Sequence, residues 1–437
     1  MTTLTDTRQR RTVLVAISVA LMAVISSVTG LNVAQPDLAA EFGAAQSTVL
    51  WIINAYVLTL SALLLPLGAA GDRWGRKPAL LTGLAVFGAA NVAAALAPSA
   101  EVLLAARVLG GAGAATIMPV TLAVITSTFP EKKRGRAIGV WTGVAGGGGL
   151  LGMFLSAVLV DWATWRFLFV LPVVLVVVAL AMVWRSVPDS RGEPHPFDVV
   201  GALTSVVGVV GLIYFLHEKD VIGLLAGVAG TAAFVAWELR HRTPLLDVRL
   251  FRERGLASGS VTILVVFGVQ AGVSIMLYPF FQTVLGWSGL LSTVALLPMA
   301  GLMMVTSGLA PRLAERAGAR ATTAWGVGVA GAGLALMAVL VSDTYLSVLP
   351  GIVALGVGMG LSMPPATETI TSSLPRERQG VASALNDVAR ELGVALGVAL
   401  LGGMLSASFV DGWRTFMWVG VALMAGLLAH LFLPRRR

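Results

Sequence analysis

Fourteen stretches of mostly apolar residues, each close to the length of a membrane crossing, follow one another along the 437-residue chain, and no other property restricts the fold as severely. A hydrocarbon core about 30 Å thick needs about 20 helical residues to cross it, and within it each backbone polar group must be bonded inside its own helix. The first seven stretches run Val13 to Leu31, Val49 to Leu67, Ala79 to Leu96, Val102 to Ile125, Ile138 to Val160, Phe167 to Val183 and Val199 to Leu216. The other seven run Val221 to Trp237, Leu256 to Phe281, Leu290 to Leu309, Ala321 to Val341, Tyr345 to Thr367, Val381 to Leu405 and Phe416 to Leu433. Only 12% of residues are charged, against roughly 25% in a soluble domain. The expectation is an all-α membrane protein of fourteen transmembrane helices. The first stretch follows Arg8, Arg10 and Arg11 as a signal peptide would, but no small-residue cleavage site follows, so it reads as retained.

The cations sort by side. With the N-terminus placed inside, 25 of the 30 Lys and Arg residues fall in inner segments, three (Arg166, Lys219, Arg414) fall outside, and Arg107 and Arg390 lie within spans. Retention of positive loops then puts both termini in the cytoplasm of a multi-pass cell-membrane protein. The same distribution accounts for the formal charge of +8 without nucleic acid, since no single aromatic-interleaved basic patch exists. The chain has no cysteine, which excludes disulfides and thiolate metal sites, and His195, His217, His241 and His430 show no metal-ligand spacing. No cofactor is expected.

Gly68 to Lys77 reads Gly-Ala-Ala-Gly-Asp-Arg-Trp-Gly-Arg-Lys, a small-residue helix end that runs into a charged turn between the second and third spans. Gly68 and Gly71 allow close helix approach, Gly75 permits a sharp turn, Asp72 offers a carboxylate, and Arg73, Arg76 and Lys77 supply positive charge. A degraded copy, Glu315-Arg316-Ala317-Gly318-Ala319-Arg320, follows the tenth span, with Gly318 243 positions after Gly75. Likewise Arg134-Gly135-Arg136-Ala137 is matched by Arg378-Gln379-Gly380-Val381-Ala382, 245 positions on from Gly135 to Gly380. Two matches at nearly one offset argue for duplication: parallel six-helix halves with an inserted helix pair and a substrate path at their interface. The expected domains are residues 1–187 (first bundle), 188–255 (linker and inserted helices) and 256–437 (second bundle), with Pro188 to Pro196 as the clearest boundary.

The pattern G-x-x-x-D-R-x-G-R-K resembles the loop motif of the major facilitator superfamily of transporters, and the whole chain resembles its fourteen-span drug/proton antiporter branch. Supporting matches are Trp51 with Tyr56, Arg107-x-x-Gly110-Gly111-x-Gly113, Trp165-Arg166 and Gln282-x-x-x-Gly286. The resemblance implies a secondary active transporter working by alternating access, with proton-coupled efflux of hydrophobic or amphipathic small molecules and protons as the second partner. It implies a conformational latch at Gly68, Asp72, Arg73, Gly75 and Arg76, in which Asp72 accepts backbone N–H bonds from the helix beginning near Val381. It places proton handling near Arg107, a cation inside an apolar span that must face an interior or a wet cavity.

Two departures qualify that picture. Asn32-Val33-Ala34-Gln35-Pro36 matches the end of the branch's first-span pattern, but Ser27 stands where that pattern has its acid. In span five the branch's Gly-Pro becomes Gly152-Met153 after Gly146 to Gly149. The remaining carboxylates for proton coupling are Asp387, Glu368, Glu391 and Glu101, with a local pair available between Asp387 and Arg390 three residues apart. Substrate-cavity candidates are Asn32, Trp51, Asn54, Tyr56, Gln270, Tyr278 and Gln282, aromatic and amide groups that with several methionines suit a large adaptable ligand. A monomer is expected. Uptake or facilitated diffusion by the same machinery is an alternative, as is a transport-inactive sensor or scaffold. No nucleophile–base constellation or phosphate loop supports an enzyme.

Overall fold

The computed structural model describes residues 6–31, 34–162, 164–191, 196–404 and 409–432. Among them are sixteen α-helices. In chain order they are α1 (Thr7–Gly30), α2 (Gln35–Phe42), α3 (Gln46–Trp74), α4 (Arg76–Ala95), α5 (Ala100–Thr128), α6 (Glu131–Trp162), α7 (Val170–Ser186) and α8 (Val199–Glu218). There follow α9 (Val221–Glu238), α10 (Arg254–Pro279), α11 (Gly289–Val294), α12 (Leu297–Ala317), α13 (Ala319–Leu340), α14 (Tyr345–Ser372), α15 (Gln379–Met404) and α16 (Phe409–Phe432).

Twelve membrane-crossing segments, not fourteen, are long and apolar enough among the described residues, and the expectation of fourteen is corrected accordingly. The two predicted spans outside the twelve lie in α6 and α15. In α15 the reason is charge: any eighteen consecutive residues of Gln379–Met404 include Asp387, Arg390 and Glu391. α6 begins with five charged residues between Glu131 and Arg136, and part of its second half lies outside the described side chains.

Helices also run further than the apolar stretches. α3 continues to Trp74 and α4 starts at Arg76, so the predicted loop shrinks to Gly75, whose φ of 110° and ψ of 137° only glycine adopts at little cost. Asp72 is therefore a residue of the last helical turn.

The chain divides into two compact units. The first comprises Met1–Ala137, Leu151–Leu250 and Leu374–Val388. It holds α1 to α5, α7 to α9 and the first ten residues of α15. At one end of it Leu31, Leu38, Ile52, Leu103, Trp165 and Phe169 form an apolar cluster under α2. Glu41 of α2 accepts hydrogen bonds from the Trp165 indole and from Arg166, which fixes the short helix over that cluster. α8 and α9 form a hairpin: Asp198 caps α8 by accepting from the Gly201 N–H (2.8 Å) and also accepts from the Trp237 indole of α9 (2.9 Å). The second unit comprises Ile138–Leu150, Phe251–Ser373 and Ala389–Arg437. There α13 and α14 lie side by side, with α10, α12 and α16 around them.

Candidate functional site

Asp72 is 1% exposed, and each of its carboxylate oxygens has its own task. Oδ1 accepts from Arg76 Nε (3.1 Å) and Nη2 (2.7 Å), four residues on across the Gly75 joint. Oδ2 accepts from the backbone N–H groups of Gly380 (2.7 Å) and Val381 (3.2 Å). These are unpaired donors in the first turn of α15, the end at which a helix favours negative charge. Arg76, fully buried, sends Nη2 on to the Arg376 carbonyl (3.0 Å) just before α15. One carboxylate thus ties the α3–α4 joint to the start of α15.

The glycines explain how it can come so close. A Cβ on Gly68 would stand 2.6 Å from the Gly380 carbonyl oxygen and 2.8 Å from Ala384 Cβ, so α3 and α15 touch backbone to backbone here. Breaking a buried ion pair by removing one partner costs about 3 to 5 kcal/mol, because the other charge is left uncompensated. Of the expected latch residues, Arg73 takes no part in this knot: its guanidinium lies 5.8 Å from the Trp74 ring centroid. Lys77 donates to the Trp184 carbonyl (2.7 Å).

Arg107 is 2% exposed at the eighth of the 29 residues of α5. Its Nη1 donates to Ser27 Oγ (3.1 Å) and to the Ser27 carbonyl (3.3 Å), its Nε to the Ile52 carbonyl (3.4 Å), and its guanidinium lies 4.1 Å from the Tyr56 ring centroid. Cation–π attraction of this desolvated kind is worth about 2 kcal/mol or more. Among the described residues no carboxylate pairs with Arg107. The Ser27 hydroxyl donates onward to Asn91 Oδ1 (3.3 Å), and Asn91 Nδ2 to the Phe87 carbonyl (2.8 Å). The sequence reading missed Asn91, although a lone amide in an otherwise apolar third span was a usable signal.

The carboxylate candidates are dispersed. In the second unit Arg390, 6% exposed, donates from Nη2 (2.9 Å) and Nε (3.3 Å) to Glu391 Oε1 and lies 5.7 Å from the Phe267 ring. Asp387, fully buried, accepts from Asn386 Nδ2 at 3.5 Å. Glu368 is half-buried in the penultimate turn of α14, and Glu101 is exposed in the first turn of α5, two residues after the Ser99 cap. Sequence reasoning also missed Glu238, 1% exposed at the end of α9, whose Oε2 accepts from the Leu246 N–H (3.3 Å).

The substrate candidates are not brought to one place. Trp51 stacks on Tyr214 of α8 (5.8 Å, 30°), and Asn54 lines the same small crevice, so both serve the packing of α8 on α3. Tyr56 lies under Arg107 and donates to the Val24 carbonyl (3.3 Å). In the second unit Gln270 is half-buried, Tyr278 donates to the Gly289 carbonyl (3.2 Å), and Gln282 is exposed in a π-turn, Phe280–Val284, that follows α10. Asn32 lies outside the described residues.

A carboxylate knot at a one-residue joint and a buried arginine in a membrane-spanning helix belong to a transporter framework. The sequence model of the Major Facilitator Superfamily matches residues 15–398. The multidrug resistance protein Stp of Mycobacterium tuberculosis is 31% identical over 405 residues, 90% of this chain and 75% of that protein. The methyl viologen resistance protein SmvA of Salmonella typhimurium is 32% identical over 412 residues, 91% and 82% of the two chains. The crystal structure of the human organic anion transporter MFSD10 superposes with a TM-score of 0.73 at 16% identity, covering 96% of this chain and 99% of that one, a likeness of fold. The chain belongs to the Major Facilitator Superfamily. It is a multi-pass membrane transporter rather than an enzyme.

Proposed function

We propose that this protein is a secondary active exporter of hydrophobic or amphipathic small molecules, driven by protons and working as a monomer in the cell membrane with both termini in the cytoplasm. The observation that carries the reading is the division of the Asp72 carboxylate between Arg76 and the first N–H groups of α15. A contact of this kind closes the face of the membrane on which it lies and must break for that face to open. A coupling of about 1 to 3 kcal/mol shifts such an equilibrium roughly 5- to 150-fold. Relatives named for resistance to multiple drugs and to methyl viologen support outward transport of apolar or amphipathic compounds.

Arg390 with Glu391, together with Asp387 and Glu368, are the groups we assign to proton coupling. Asp387, Glu391 and Glu368 are buried or half-buried acids of long helices, and Arg390 is the cation bonded to Glu391. One observation favours a second reading, facilitated movement without a proton: Arg107, near which the family resemblance puts proton handling, faces a serine and a tyrosine. Proteoliposomes loaded with an amphipathic dye separate the two. Efflux accelerated by an imposed pH gradient is the expected result, and efflux indifferent to the gradient sinks the proton-coupled reading.

A further inference from the structure

The second unit contains a cavity of about 360 Å³, within the size range of small-ligand sites, where α10 and α13 begin and α14 and α16 end. Its charged and titratable lining is wholly basic: Arg252 and Arg254 at the entry to α10, Arg320 in the first turn of α13, and His430 in the last turn of α16. No aspartate or glutamate is among the lining residues, although Glu253 stands between two of the arginines in sequence. Ser258 and Thr323 add hydroxyls to the wall. Each now donates to a carbonyl of its own helix (Gly255 at 3.3 Å, Ala319 at 2.9 Å), so either can turn to a ligand for the loss of one local bond. Ala366 and Leu431, both buried, add apolar atoms to the lining.

Three guanidinium groups around one cavity select an anion with several acceptor oxygens, which planar guanidinium binds bidentately. Two helix N-termini pointing the same way add to the positive potential. We infer that this cavity is a binding site for a phosphate-bearing anion, the headgroup of an anionic phospholipid or a soluble phosphate, recognised by Arg252, Arg254 and Arg320. It lies at the ends of four helices long and apolar enough to cross a membrane, where headgroups would meet them, and the apolar lining from Ala366 and Leu431 suits the glycerol end of a lipid. A ligand seated there would bridge α10, α13, α14 and α16. The site shares no residue with the Asp72 knot or the Arg107 cluster, so it stands or falls independently of the transport reading.

The test uses the purified full-length protein in detergent, with thermal unfolding followed as phosphatidylglycerol, phosphatidylcholine or inorganic phosphate is titrated. Phosphatidylglycerol is expected to raise Tm while phosphatidylcholine does not. The variant Arg252→Gln/Arg254→Gln/Arg320→Gln should bind it about 100-fold more weakly, at about 1 kcal/mol per basic residue. Arg312→Gln/Arg316→Gln, which removes two exposed cations at the end of α12 outside the cavity, should respond as wild type. A Tm rise with inorganic phosphate equal to that with the lipid, lost in the triple variant, supports the same site with a soluble source. If the triple variant does not fold, Ser258→Phe keeps the arginines and fills the cavity, and should lose the response equally. The site is refuted if neither probe shifts wild-type Tm, if the cavity variants respond as wild type, or if the Arg312/Arg316 control loses as much as they do.

Discussion

The α3–α4 and α12–α13 joints share one backbone geometry, and only the first carries a buried carboxylate. Gly75 (φ 110°, ψ 137°) and Gly318 (φ 90°, ψ 147°) each form the whole connection between two helices. In the same register Asp72 corresponds to Glu315, and Arg76 to Ala319. Asp72 is buried, bonded to Arg76 and to the start of α15; Glu315 is exposed at the end of α12. A Cβ on Gly75 would lie 3.2 Å from both Asp189 and Arg191, whereas one on Gly318 would meet nothing within 4 Å. The helix packing is shared too. Gly68 admits Gly380, and in the other unit a Cβ on Gly139 of α6 would stand 3.0 Å from Pro311, the counterpart of Gly68. Backbone geometry is therefore common to both joints while the charge chemistry is found in one. That separates the part of the motif that turns the chain from the part that holds a helix end.

Asp72→Asn is the largest break of this comparison. It leaves Arg76 buried beside an amide and weakens both bonds to α15, at about 3 to 5 kcal/mol for an uncompensated buried charge. Transport measured in vesicles should fall at least about tenfold with membrane insertion intact, since 1.4 kcal/mol already makes a tenfold change. Glu315→Gln in the second copy should leave the rate within twofold or so, as exposed charges contribute about 0 to 1 kcal/mol. Equal losses in the two variants would mean that burial of Asp72 is not what distinguishes the joints.

Arg107 is the reverse case, a buried arginine with no carboxylate partner among the described residues, and Ser27→Asp would place one where a hydroxyl now accepts from it at 3.1 Å. The expected outcome is a double-mutant coupling. Arg107→Ala in the wild-type background removes hydrogen bonds worth about 1.5 to 3 kcal/mol, and in the Ser27→Asp background it should cost about 3 to 5 kcal/mol. Thermal unfolding of the four proteins measures the difference, and equal shifts in both backgrounds would show that position 27 does not face the guanidinium.

What could be read in the sequence follows the same division. The joint, its glycine and its carboxylate were legible because turn chemistry and charge are local, and the helix met by Asp72 was supplied by family resemblance. The span count was not legible, because a window of apolar residues cannot weigh Asp387, Arg390 and Glu391 against the length of α15. Nor could spacing reveal that Trp51 is consumed by Tyr214 of α8, a pairing 163 positions apart that only packing brings about. Arg73 was expected in the latch on its place in the motif, but a helix turns 100° per residue, and its side chain leaves on another face from Asp72.

A smaller contrast tests the two glycines themselves. Gly75→Ala meets both an unfavourable φ and the 3.2 Å crowding by Asp189 and Arg191, whereas Gly318→Ala meets the φ alone. Each strained residue costs about 1 to 3 kcal/mol, so both variants should lose thermal stability, with Gly75→Ala losing more. Indistinguishable shifts would assign the whole penalty to the backbone and none to the surroundings of the first joint.

The smallest effect is expected where the same carboxylate–cation chemistry sits near water. Hydrogen bonding from the Trp165 indole, then from Arg166, holds the Glu41 carboxyl below its ordinary value. A lowered native-state pKa adds stability that is fully present above the unfolded-state value of about 4.3 and is lost as pH falls through the lower native value. The Glu41 side chain is 39% exposed, so solvent screens the pair and the contribution is under about 1 kcal/mol. Acidification from pH 6 should therefore leave amide protection in α2, exchange taken relative to the intrinsic rate at each pH, unchanged until below about pH 4.3 and then lower it a few-fold, with Trp165 fluorescence changing in step. Glu41→Gln should abolish the pH step while keeping a hydrogen-bond acceptor for Trp165. A step that persists in Glu41→Gln would move the titration to another group and leave α2 held by its apolar cluster alone.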